Sequence, residues 1–360
     1  MLSNHRIDTS PLFGPAQDDM TDAMSPFTRL PMELVQHIFN LASAASRLSC
    51  LRLSLVASWA RHIALPHLLH TVVIKDHLAN AQFRHNFHGP PYKPASPNFR
   101  APPLVRNVWM EAASDRIISF FNACDNIEHL ALTDEASLWL IHASSPNVVN
   151  QFHHTISRRA MARDQDLHLT IISASGDWTH RVYISDDISR RSPLLAKITH
   201  IRLADIASYP LHSDVEHFTR LSHLALPFYN LLQHGSRMRS LLTLESLKML
   251  VVVIITGSVH DDDRTQMENL VVDIRKTDSR IYLVESYDRG IEIQEQWEEE
   301  MRGGESIWDQ AARYTSEYES WLTHLRDNPE RGESHGGGRF RSRMNKKLTR
   351  GNDRKQRRSW

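Results

Sequence analysis

The sequence predicts an α/β protein in three parts. A small helical module comes first, then a mainly parallel sheet of irregularly repeated strands, then a C-terminal helical cap. Three observations predict this. Between residues 27 and 66 the apolar residues recur at helical spacing. From Leu69 onward a short strand pattern, apolar at its positions 1, 4 and 6, returns repeatedly. After residue 290 the chain turns rich in Glu and carries Trp297, Ile307, Trp308, Tyr314, Tyr318 and Trp321.

The helical module, residues 27–66, follows a lead-in (1–26) with scattered Pro, Gly and Asp and no periodicity, expected to be disordered. Pro31 suits the first helical position, where a missing N–H costs nothing, and Glu33 sits near the positive end of the helix dipole. Leu34, Val35, Ile38, Phe39, Leu41 and Ala42 make one apolar stripe, leaving Gln36, His37 and Asn40 for solvent. After a Ser/Ala-rich break, Leu48, Leu51, Leu53, Leu55, Val56, Trp59 and Ile63 are apolar on nearly every side. About 40 residues cannot bury that much surface among themselves. The module therefore needs a partner, either the rest of the chain or another protein.

Leu30-Pro31-Met32-Glu33-Leu34 followed by Ile38-Phe39 resembles the opening of an F-box, the helical module that docks onto the Skp adaptor of cullin-based ubiquitin ligases. Leu53-Ser54-Leu55-Val56-Ala57-Ser58-Trp59 resembles its second half, although Val56 and Trp59 stand three apart where the family usually spaces them four apart. The resemblance implies an adaptor-binding face of Leu30, Pro31, Leu34, Ile38, Phe39, Leu55, Val56 and Trp59, with Phe39 and Trp59 as its main anchors.

The strand pattern runs through Leu69-x-x-Val72-x-Ile74, Val105-x-x-Val108-x-Met110, Ile127-x-x-Leu130-x-Leu132, Ile198-x-x-Ile201-x-Leu203, Leu221-x-x-Leu224-x-Leu226 and Leu247-x-x-Leu250-x-Val252. From Val105 the starts lie 22, 71, 23 and 26 residues apart, and the long interval is about three repeats of roughly 24. Period and pattern resemble leucine-rich repeats, which stack one strand per unit. The family's turn Asn or Cys is missing: those positions hold Glu135, Ile206, Tyr229 and Ile255. The resemblance thus implies an irregular leucine-rich-repeat-like domain over residues 67–290, and an ordinary parallel α/β sheet fits the same pattern.

Around the strands, residues 84–103 hold six of the sixteen prolines and form an irregular loop. Residues 116–122 and 215–218 read as helical, and residues 167–172 and 182–184 as two further strands inside the long interval. Asp261-Asp262-Asp263 starts a helix with Met267, Leu270, Val271 and Ile274 as its buried stripe. Residues 280–285 read as a last strand. Residues 291–326 make the cap, broken near Gly303-Gly304, that an open stack of strands requires.

Composition excludes several classes of function. Of 360 residues, 41% are hydrophobic, enough for a sizeable core. Two cysteines, Cys50 and Cys124, make no disulfide framework and point to a reducing compartment. The N-terminus lacks a basic start followed by an apolar run, and the longest apolar run, residues 250–255, is too short to span a bilayer. The nucleus or the cytoplasm is therefore the expected location. The motifs Gly-x-Ser-x-Gly and His-Glu-x-x-His and any phosphate-cradling glycine loop are absent, so no catalytic residue, cofactor or metal is assigned.

Net charge is zero but unevenly placed. The last 30 residues carry eleven Lys and Arg against Glu333 and Asp353, a charge of +9, and the rest of the chain carries 31 basic and 40 acidic side chains, a charge of −9. The basic tail, residues 327–360, is expected to be disordered. Its Lys346, Lys347, Arg354, Lys355, Arg357 and Arg358 form clusters of the nuclear-import kind. With only Phe340 and Trp360 to stack on bases, nucleic-acid binding is not expected.

Among 22 histidines, His129, His200 and His223 share position 3 of the repeat, which alternates with position 4 and so falls on the opposite face of the sheet. Stacked strands would set His200 beside His223, either as a hydrogen-bonded surface ladder or as a pair able to bind metal or sense pH.

Read together, the residues describe a non-enzymatic recognition protein. By resemblance it is a substrate-recognition adaptor: the helices bind a Skp-type adaptor and a cullin ligase, and the repeat domain holds an unidentified protein substrate. The competing expectation is a repeat scaffold in which the helices only cap the sheet. The two differ in one observable: an adaptor leaves the apolar helical face exposed, and a cap buries it.

Overall fold

A computed structural model describes residues 30–76, 78–79, 81–82, 104–112, 115–145, 156–173, 192–204, 215–228, 234–256, 261–287 and 290–327. The lead-in (1–26), the proline-rich loop (84–103), the strand expected over 182–184 and the tail from 328 lie outside the described residues. The chain divides into two compact units, residues 1–65 and 66–360.

The first unit holds α1 (Met32–Ala45), α2 (Arg47–Val56) and most of α3 (Ser58–His70). Pro31 takes the N-cap rather than the first helical position, and its carbonyl accepts from the N–H groups of Leu34 and Val35 at 3.0 and 3.2 Å. Ser46 ends α1 and caps α2, its side chain accepting from the Ser49 N–H at 3.0 Å. The helices meet through Val35, Phe39 and Ala60, flanked by Leu53, Ala57 and Ile63. Small residues fill the remaining contacts: Ser43, Cys50, Ser54 and Ala64 are buried, and the Cys50 thiol donates to the Ala64 carbonyl at 3.0 Å.

The second unit is α/β, with one sheet of eight parallel strands: β1 (Thr71–Ile74), β2 (Asn107–Met110), β3 (His129–Thr133), β4 (Leu167–Ser173), β5 (Ile198–Leu203), β6 (His223–Phe228), β7 (Met249–Thr256) and β8 (Ile281–Tyr287). Each strand pairs with its neighbours in the chain. Among the described strands the order never reverses, so the sheet has no switch point of the kind that gives doubly wound folds their ligand crevice. All six aligned segments appear as strands. The 71-residue interval holds one strand among the described residues, β4, which pairs directly with both β3 and β5. Repeats of about 24 residues therefore fail there, because longer connections lengthen these units.

Residues at positions 4 and 6 face one way. Val108, Met110, Leu130, Leu132, Ile201, Leu203, Leu224, Leu250 and Val252 share one core with helices that follow the strands. These helices are α4 (Arg116–Ala123), α5 (Asp134–Ser144), α6 (Arg158–Met161), α7 (His234–Leu241) and α8 (Asp261–Arg275). In α8 the expected stripe is present, with Met267, Val271 and Ile274 buried. The segment at 215–218 closes up as a single short turn of 3-10 helix, Val215–His217.

The opposite face is covered by α9 (Gly290–Met301) and α10 (Ile307–Asp327). Ile293 and Trp297 pack with Trp109, Ala131 and Ala204, while Ile307 and Ala311 pack with Ala225, Met249, Val251, Val253 and Val284. Farther along, α10 meets the free edge of β8. The Thr315 hydroxyl oxygen accepts from the Leu283 N–H at 2.8 Å, and Tyr314 donates to Glu285 at 2.9 Å. The C-terminal helices thus do more than close the end of the sheet, since they also lie over one face of it. The turn between them depends on glycine twice. Gly303 has φ +87°, and a Cβ on Gly304 would come within 2.7 Å of the Glu299 carbonyl oxygen. Among the described residues no helix is long and apolar enough to cross a membrane.

Candidate functional site

The first candidate surface lies on α1–α3. The apolar stripe of α1 divides in two: Val35 and Phe39 turn inward, and Leu34, Ile38 and Leu41, at successive intervals of four and three, stay exposed. Leu48, Leu51, Leu55, Val56 and Trp59 are exposed on the other two helices. Leu55 and Val56 keep 79% and 65% of their surface, and Leu34 and Ile38 keep 50% and 45%. Exposing this many large apolar side chains is not what a self-contained bundle does with its hydrophobic residues.

Of the eight residues assigned from sequence to this face, Leu30, Pro31, Leu34, Ile38, Leu55, Val56 and Trp59 are exposed. Phe39 is the exception. It is buried, with its ring centre 4.8 Å from that of Trp59, so it underlies the exposed face instead of forming part of it. The six tail residues assigned to nuclear import lie outside the described residues.

The second candidate is a row of side chains crossing the sheet at position 3. The strand register sets Thr71, Asn107, His129, His168, His200, His223 and Met249 side by side. Ring centres are 4.4 Å apart for His129 and His168, set edge-on at 74°. They are 3.7 Å apart for His168 and His200 and 4.2 Å apart for His200 and His223, both pairs stacked. Trp308, in the first turn of α10, stands edge-on to His200 and His223 at 5.5 and 5.3 Å. At the other end of the row the Asn107 amide donates to His70 Nδ1 at 3.1 Å and to Thr71 Oγ1 at 3.0 Å.

Burial keeps these rings neutral. It pushes His129 down to about 3, His168 to about 4 and His200 to about 2, and neighbouring histidines add to the shift. Burial also lowers His223 and His70. The Ser222 hydroxyl donates its one proton to the Thr199 carbonyl at 3.1 Å and so accepts from His223 Nδ1 at 2.8 Å. His200 Nδ1 lies 2.9 Å from Thr199 Oγ1, the hydroxyl of the residue before it, as Ser222 precedes His223. Both stacked rings therefore turn Nε2 the same way. Nε2 atoms of parallel, stacked rings cannot converge on one ion at about 2.0–2.1 Å, and among the described residues no three His, Cys, Asp or Glu side chains are grouped to hold a metal.

A cleft of about 410 Å³ opens over the row. Its floor includes His70, Asn107, His129, His168 and His200, and α9 and α10 supply Trp297, Met301 and Trp308. Its buried charges cancel: Arg202 donates to Glu300 at 3.0 Å and to Gln296 at 2.9 Å, with the Arg202 and Glu300 side chains only 6% and 8% exposed. Burial raises the Glu300 carboxyl above its usual range, and Arg202 pulls it back only in part. Glu128, at the rim, is held by Arg106 at 2.9 Å. Among the described residues no lining imidazole is hydrogen-bonded to a carboxylate; His70 and His200 are held instead by the Asn107 amide and the Thr199 hydroxyl.

Sequence reasoning placed His129, His200 and His223 on one face and His200 beside His223, as the structure has them. It missed His168. With Leu169 and Ile171 at positions 4 and 6, His168 falls at position 3, but position 1 is Asp166, and the apolar template passed over it.

No family model, curated protein or solved structure matches this chain.

Proposed function

We propose that this chain is a non-enzymatic recognition adaptor of a cullin-based ubiquitin ligase, acting in the nucleus or cytoplasm. Its F-box-like helices α1–α3 bind a Skp-type adaptor. The sheet domain, read as an irregular leucine-rich-repeat-like stack, holds a protein substrate for ubiquitin transfer by other subunits. One observation carries the reading: many of the large apolar residues of α1–α3, among them Leu34, Ile38, Leu55 and Val56, are exposed. A surface of that kind is what a docking module presents. The strictly sequential strand order is also what unit-by-unit stacking produces.

Calorimetry of the full chain against a purified Skp-type adaptor tests the proposal. Wild type should bind with submicromolar affinity. Leu34→Asp combined with Leu55→Asp, both at exposed positions, should weaken binding about a hundredfold or more while the helical circular dichroism is kept. Absence of binding by folded wild-type protein overturns it.

A further inference from the structure

We propose that the cleft over the histidine row is a binding site for an uncharged aromatic ring that carries one hydrogen-bonding group, a phenol in its simplest form. The site lies in the second unit and the inference is independent of adaptor docking by α1–α3.

Four features fix this chemistry. The first is size: at about 410 Å³ the cleft falls within the range of small-ligand pockets, about 300–1,000 Å³. The second is its lining: a floor of imidazoles, with Trp308 standing edge-on to His200 at its side and Trp297 and Met301 among the lining residues. Aromatic and sulfur surfaces of this kind favour a flat ring over an aliphatic chain.

The third feature is charge. The imidazoles are neutral, Arg202 and Glu300 neutralise each other, and Glu128 is paired with Arg106. Among the described residues no lining group is left to balance a ligand's charge, and burying an unbalanced charge is costly. The fourth is unused hydrogen-bonding capacity. Among the described residues, the ring nitrogens of His129 and His168 have no hydrogen-bond partner, and both rings line the cleft. A neutral imidazole offers one N–H donor and one acceptor nitrogen. A hydroxyl on the ligand ring would satisfy either.

Such a ring arrives either on a free small molecule or as a tyrosine side chain of a protein partner. Saturation-transfer NMR titrations of the full chain at pH 7, with phenol, toluene, benzoate and N-acetyl-tyrosinamide as probes, test the site. Phenol should saturate with a dissociation constant of about 1 mM, in keeping with its few atoms. Toluene, which lacks the hydroxyl, and benzoate, which is charged, should each bind about fivefold more weakly or worse.

His168→Phe and His129→Phe keep a ring in the row and remove its nitrogens. At least one should cost phenol about fivefold, the share of one hydrogen bond, while His62→Gln, in the other unit, should change nothing. N-acetyl-tyrosinamide binding as tightly as phenol supports the site with a protein side chain as the source of the ring. Its exclusion while phenol binds supports the site with a small molecule as the source. The proposal is overturned if phenol fails to saturate, if toluene or benzoate matches it, or if both Phe variants bind it like wild type. The comparison of phenol with toluene on wild-type protein stands even where a variant does not fold.

Discussion

The imidazoles of His200 and His223 lie face to face, 4.2 Å between ring centres and 9° from parallel, on residues paired across β5 and β6. The distance is a little under the roughly 4.7–4.9 Å that separates neighbouring strands. Identical side chains at one register position of a parallel sheet are brought into contact by the backbone itself. Trp308 closes over both rings, so the row is also the seat on which the start of α10 rests.

That seat makes stability depend on pH. In the unfolded chain each histidine titrates near its ordinary value, about 6.5. In the fold His129, His168 and His200 titrate at about 3, 4 and 2. Between about pH 6.5 and 4 the unfolded state takes up protons that the folded state refuses, so stability is full above pH 6.5 and falls as the solution is acidified. Urea-unfolding midpoints at pH 7.5, 6.0 and 5.0 should decline in that order. His200→Phe should remove about one proton from the uptake that accompanies unfolding and flatten the decline. A midpoint independent of pH would contradict the burial of the row.

Within α1–α3 the two halves of the α1 stripe should behave differently. Leu34→Asp, at an exposed position, should leave stability within about 0.5 kcal/mol. Phe39→Ala, which empties a buried site against Trp59, should cost about 3 kcal/mol or more. Trp59 fluorescence during denaturant unfolding reads both variants. Equal losses would mean that the exposed half is structural.

Much of this arrangement was legible in the chain, for identifiable reasons. Positions 4 and 6 are apolar because they face a core, and Leu130, Leu132, Leu224 and Leu250 show it without any tertiary information. His129, His200 and His223 could be placed on the opposite face because a strand alternates with a period of two. Periodicity could not say that Phe39 is buried while its neighbour Ile38 is exposed, since both are large and apolar and lie on one stripe. The cleft was beyond local reading as well. It exists because α9 folds back across the sheet and brings Glu300 to Arg202, 98 residues earlier in the chain.

The edge of β8 provides a third test. An unpaired strand edge invites pairing with another chain, and here the Thr315 hydroxyl accepts the Leu283 N–H at 2.8 Å within a buried contact. Thr315→Val keeps the shape and removes the acceptor. It should cost about 1–3 kcal/mol, the penalty of an unsatisfied buried donor, and speed hydrogen exchange at the Leu283 amide. Thr315→Ser should restore most of the loss. Unchanged exchange in the valine variant would show that α10 protects this edge by packing alone.

The Arg202–Glu300 pair is the sharpest test of how α9 is held on the sheet. Both side chains are almost fully buried, and Arg202 also donates to Gln296 on the same helix. Removing one partner strands a charge in a poorly solvated place, so Arg202→Met and Glu300→Leu should each destabilise by about 3–5 kcal/mol. Removing both strands nothing, and the double variant should lose clearly less than the sum of the two single losses. A double-mutant cycle by urea unfolding measures that difference. A coupling near zero would mean that Trp297 against Trp109, at 5.4 Å, and the surrounding apolar contacts hold α9 without help from the ion pair. A large coupling would mean that the pair fixes where the helix lies over the histidine row and thereby sets the width of the cleft.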